Sequence, residues 1–87
     1  MNDKVFKALA DPTRRAILDL LIGGDMTAGD IAKHFSHAQA TVSRHLAILK
    51  NAELVTTRRD GGFIWYRLHT TILEDWLKWI IDRWSNR

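Results

Sequence analysis

The chain has 87 residues, of which 46% are hydrophobic and 26% charged, and its formal net charge is +3. That length allows one small domain over residues 1–87, burying only about 60–65% of its unfolded surface, so association with a second copy would be a natural remedy. There is no cysteine, which excludes disulfides and thiolate chemistry. No apolar run approaches the roughly 18 residues of a membrane span, and none follows the N-terminal residues as in a secretory leader. A cytoplasmic location is expected.

The elements follow in chain order. Val5, Phe6 and Leu9 have helical spacing on a first helix over about 3–10. Asp11-Pro12 is a helix start, since Asp caps free amides and proline suits the first turn. Ile17, Leu18 and Leu21 form the buried stripe of this second helix. Gly23-Gly24 stops it in the left-handed conformation that glycine accepts. Thr27 and Asp30 resemble a capping box, opening a short helix with Ile31, Ala32 and Phe35 inward. Ser36-His37 is a tight turn. A helix over about 38–52 follows, with Val42, His45, Leu46, Leu49 and Ala52 on its apolar side and His45 as a packed core residue.

The period then changes. Residues 54–58 are β-branched and extended, Asp60-Gly61-Gly62 turns the chain, and residues 63–68 return, so a hairpin spans about 54–68. A last helix runs over about 70–84. The fold class is mainly α with a β-hairpin wing (α+β), a winged helix-turn-helix in the order α-α-α-α-β-β-α.

Charge is unevenly spread. Between residues 31 and 69 the basic side chains are Lys33, Arg44, Lys50, Arg58, Arg59 and Arg67, against only Glu53 and Asp60. A basic middle on a near-neutral frame suits a polyanion. The outward face of the 38–52 helix has Ala40, Ser43, Arg44, Ala47 and Asn51. Small residues permit close approach to a groove about 12 Å wide, and Arg and Gln can read guanine and adenine edges. The candidate DNA-binding residues are therefore Gln39, Ser43 and Arg44 as readers, with Ala40 permitting close approach. Thr27, Thr41 and Lys50 are candidate phosphate contacts, and Arg58 and Arg59 clamp from the wing.

The last helix has an apolar arc wider than one core requires. Leu73, Trp76, Leu77, Ile80 and Trp84 lie along it. Left exposed, they would form a large patch, so a homodimer through the first and last helices is expected, with Val5, Phe6 and Leu9 opposite.

Two long runs resemble the ArsR/SmtB family of repressors. One is Phe6-Lys7-Ala8-Leu9-Ala10-Asp11-Pro12-Thr13-Arg14-Arg15-Ala16-Ile17-Leu18. The other extends from Thr41-Val42-Ser43-Arg44-His45-Leu46 to Glu53-Leu54-Val55, and Trp65-Tyr66-Arg67-Leu68 is similar to the family's wing. Within the family the chain is similar to the short SdpR-type autorepressors. The resemblance implies a homodimer that binds a palindromic double-stranded DNA operator and represses transcription. In that subgroup it also implies a membrane-protein antirepressor as the releasing partner.

Many family members sense metals. Here the first helix of the helix-turn-helix has no cysteine, and the last helix has Glu74, Asp75 and Asp82 but no histidine beyond His69. Transition-metal sites favour imidazole or thiolate. No metal and no cofactor are expected, and no enzymatic machinery is visible. The alternatives are a metal- or small-molecule-responsive repressor of the same family and a winged-helix protein-interaction module without DNA binding.

Overall fold

The computed structural model describes residues 3–85. Its elements are α1 (Asp3–Leu9), α2 (Pro12–Ile22), β1 (Met26–Thr27), α3 (Ala28–Ala32), α4 (Gln39–Asn51), β2 (Val55–Asp60), β3 (Phe63–Leu68) and α5 (Thr70–Ser85). The order of helices and hairpin is the one the sequence predicts, though α3 ends earlier. The addition is β1, which pairs antiparallel with β3 through Met26↔Tyr66 and Thr27↔Trp65. The sheet therefore has three strands in the order β1-β3-β2. A two-residue strand has no periodicity to read, and tertiary pairing alone creates it.

Local chemistry explains most boundaries. Asp11 caps α2, its side chain accepting from the Arg14 amide at 3.1 Å, with Pro12 following. At the other end Gly23 stays right-handed with φ −75°, and the positive φ expected of the pair falls on Gly24 alone. Thr27 caps α3 by accepting the Asp30 amide at 3.2 Å. Asp30 does not complete the expected reciprocal box; its carboxylate meets Lys33 Nζ at 3.4 Å instead. Helix α3 stops at Ala32, so the connection to α4 is longer than Ser36-His37, and Phe35 packs on the core from that connection.

The end of α4 is a Schellman turn. The Leu54 amide donates to the Leu49 carbonyl and the Glu53 amide to the Lys50 carbonyl, both at 3.0 Å. Such a turn needs a left-handed residue, and Glu53 supplies it with φ 62°. In the hairpin, Gly61 and Gly62 both have positive φ and join the paired Asp60 and Phe63. Two consecutive left-handed residues make the turn whose twist matches a hairpin.

One continuous core lies between the helices and the base of the sheet. Ile17, Leu18 and Leu21 of α2 meet Ile31 of α3, Val42, Leu46 and Leu49 of α4, then Leu54 and Val55. Val5 and Ala8 of α1 and Trp76 of α5 complete it. Val5 and Trp76 are only 2% and 6% exposed. Both are expected at a subunit interface; within this chain α1 and α5 use these two side chains to close the core. Trp76 also holds Phe6 edge-on, with ring centroids 4.1 Å apart.

Candidate nucleic-acid interface

Helix α4 has two faces of opposite character. Val42, His45, Leu46 and Leu49 are buried, while Gln39, Ala40, Ser43, Arg44, Ala47, Lys50 and Asn51 are exposed. Thr41 is half-buried at the edge. The exposed face thus consists of small and polar side chains around Arg44, with no large apolar group. Ala38 caps α4 without any side-chain bond, so its first turn has no side-chain acceptor of its own, a setting that favours a phosphate.

The approach to α4 is fixed by polar contacts. Thr13 Oγ1 and His37 Nε2 lie 3.1 Å apart, and the His37 ring stacks near Phe35. Arg14 and Arg15 of α2 reach back to the end of α1. Arg14 donates to the carbonyls of Ala8 (2.7 Å) and Lys7 (2.8 Å), and Arg15 to that of Leu9 (2.7 Å). These bonds add acceptor partners at the end of α1, where helix carbonyls run short of intrahelical donors; the Lys7 carbonyl also takes the Ala10 amide at 3.3 Å. The arginines look like surface residues in sequence, and nothing in their spacing reveals the task.

The wing divides the two arginines assigned to it. Cross-strand pairing sets Arg58 opposite Trp65 and Arg59 opposite Ile64, so their side chains leave opposite faces of the hairpin. Arg58 is engaged: Asp60 lies at 3.1 Å, Asp25 at 3.6 Å, and its guanidinium sits 5.4 Å from the Trp65 ring centre. Arg59 is exposed and has no ion pair among the described residues. Arg67 forks onto Asp25, with Nε 3.2 Å from each carboxylate oxygen. That hydrogen bond, then the charges of Arg67 and Arg58, hold the Asp25 carboxyl below the usual carboxylate range, partial desolvation opposing them. Asp25, which no spacing in the sequence marks, is therefore the acid that organises the wing's base.

Thr27 is half-buried with its hydroxyl used as the α3 cap. Of the residues expected at a dimer interface, Leu9 and Leu73 pack partly against this chain's own core. Phe6, Leu77, Ile80 and Trp84 are exposed, Trp84 by 63% and Leu77 by 58%, together with Trp79 and Ile81. Helix α5 is not long and apolar enough to cross a membrane, nor is any other helix among the described residues.

The chain has no cysteine, and among the described residues no three His, Asp or Glu side chains converge. His37, His45 and His69 each have a ring nitrogen within hydrogen-bond reach of a protein group, for His69 the Glu53 carbonyl at 2.9 Å.

A helix-turn-helix whose second helix presents a small, polar, basic face beside a charged hairpin defines a winged-helix nucleic-acid-binding regulator. The comparisons narrow the class. The pattern described as "Bacterial regulatory protein, arsR family" matches residues 11–57. The transcriptional repressor SdpR of Bacillus subtilis (strain 168) is 57% identical over 82 residues, covering 94% of this chain and 90% of that protein. A solved structure described as a possible transcriptional regulator for arsenical resistance superimposes with a TM-score of 0.81 at 37% identity, covering 97% of this chain and 85% of the other. The homodimeric winged helix-turn-helix DNA-binding domain of Mb0332 from Mycobacterium bovis gives a TM-score of 0.73 at 34% identity, over 91% and 76% of the two chains. The chain belongs to the arsR family of bacterial regulatory proteins.

Proposed function

We propose that this protein is a transcriptional repressor that binds a palindromic DNA operator as a homodimer. Helix α4 enters the major groove, with Gln39, Ala40, Ser43 and Arg44 toward base edges and Thr41 and Lys50 toward the backbone. Thr27 and the wing arginines lie along the flanking phosphates. The observation that carries the reading is the division of α4 into a buried apolar face and an exposed face of small and polar residues around Arg44. The single domain is completed by a partner copy seated on the apolar face of α5. In this reading the chain is cytoplasmic, performs no catalysis and needs no metal. Its release falls to a protein partner, by resemblance a membrane-protein antirepressor.

The test is a titration of labelled duplex DNA at several salt concentrations. Neutralised phosphates release counterions, so log affinity falls linearly with log salt, at a slope of about −0.9 per phosphate contacted. A protein that binds no duplex at low salt would end the reading.

A further inference from the structure

Helix α4 has one polar side chain on its buried face, His45, 7% exposed. Its Nδ1 lies 3.1 Å from Arg14 Nη1 and 4.0 Å from Asp11 Oδ2. Guanidinium has donors only. Nδ1 must therefore accept, which fixes His45 as the neutral imidazole with its proton on Nε2. The same Arg14 donates to the Lys7 and Ala8 carbonyls. One guanidinium thus ties the end of α1, on the expected dimer side, to the middle of the recognition helix.

We propose that His45 is a positioning residue for DNA reading, its neutral imidazole setting α4 against α1 through Arg14. The inference rests on the DNA-binding function proposed above. A protonated His45 presents an N–H to the Arg14 guanidinium and loses that bond. The nearest acceptor for the new proton is Asp11 Oδ2, the same atom that caps the Arg14 amide. Acidification therefore sets the α2 cap and the imidazolium in competition for one oxygen, so the start of α2 and the Arg14 tie to α4 loosen together.

The surroundings favour the neutral form. Burial pushes the His45 imidazole below its ordinary value; Asp11 opposes this, while Arg14, Arg44 and His37 add to it. The sign follows by linkage: the unfolded chain binds the proton more readily. The contribution is complete above the ordinary imidazole value of about 6.5 and is lost as pH falls below it toward the folded value.

The experiment has two readouts. In the free protein, the His45 ring and the amides of Lys7, Ala8 and Leu46 are followed by NMR from about pH 7.5 to about 5. The expected result is a shared midpoint, below that of an exposed histidine. Independent titration of the α1 amides and His45 would overturn the proposal, whether or not DNA binds. In the second readout, affinity for a duplex selected by the wild type is measured over the same range while circular dichroism confirms the fold. Wild-type affinity falls severalfold on acidification. His45→Leu binds severalfold more weakly at neutral pH. His45→Asn, which offers an amide oxygen near the Nδ1 position, recovers much of that loss and has a flatter pH profile. Should His45→Leu fail to fold, Arg14→Met, keeping the imidazole but removing its donor, gives the same loss. Identical pH profiles for wild type and His45→Asn would overturn the assignment. Failure to bind any duplex would instead count against the function itself.

Discussion

Asp25 and Arg67 are joined by a forked ion pair, Nε reaching both carboxylate oxygens at 3.2 Å and Nη2 reaching one at 3.1 Å. The pair links the chain just before β1 to the middle of β3, and Arg58 of β2 approaches the same carboxylate. One acid thus restrains two of the wing's three arginines. Asp25→Asn should release both to phosphate. The expected outcome is tighter binding to random duplex and a log–log salt slope steeper by about one. Unchanged affinity and slope would show that Arg58 and Arg67 do not reach the backbone. The acid limb of folding has a matching sign. The Asp25 carboxyl is held below its ordinary value, so its contribution is present above about pH 4 and lost as pH falls through the lowered folded value. Asp25→Asn should reduce that acid sensitivity.

Arg58 and Arg59 should not be equivalent. Arg58 has Asp60, Asp25 and Trp65 as neighbours, and phosphate must compete with them. Arg59 lies on the other face of the hairpin and has no such competitor among the described residues. Arg59→Ala should reduce the salt slope by about one and weaken binding to all sequences alike; Arg58→Ala should do less. The measurement is duplex affinity at three or more salt concentrations.

Glu53 occupies the left-handed position of the α4 Schellman turn. That conformation costs a non-glycine residue about 1–2 kcal/mol. Glu53→Gly removes this strain but gains backbone freedom in the unfolded chain. The net expectation is a stabilisation of roughly 0.5–1 kcal/mol, read from urea unfolding, with DNA affinity unchanged.

The exposed apolar side chains of α5 predict a dimer that a single charge can break. Leu77 is 58% exposed and outside the protomer's core, so Leu77→Glu should leave the fold intact. Burying a leucine is worth about 1.5–3 kcal/mol, and a buried unpaired carboxylate costs more. Sedimentation should find wild-type dimer and mutant monomer at micromolar concentration. A monomeric wild type would count against the proposed assembly.

The helices and hairpin were legible because periodicity and local punctuation agree. Asp11-Pro12 caps, Gly61-Gly62 turns, and Val42, Leu46 and Leu49 face inward at helical spacing. His45 was readable as a core residue from its place on that stripe. Its partner was not, because Arg14 lies on another helix and only packing brings them together. The same holds for Asp25, whose two arginines come from different strands. Strand β1 exists only by pairing with β3. An apolar arc does not say which part of it the chain keeps for its own core; the packing of Trp76 of α5 against Phe6 of α1 shows that for Trp76.

The most direct test of the central claim is selection of bound duplexes from a random pool, repeated with Arg44→Ala. The wild type should enrich one palindromic site. A folded Arg44→Ala protein should lose preference for it by about 1–3 kcal/mol while keeping its salt-dependent binding to other DNA. A pool without an enriched sequence, or an Arg44→Ala protein with undiminished preference, would contradict it.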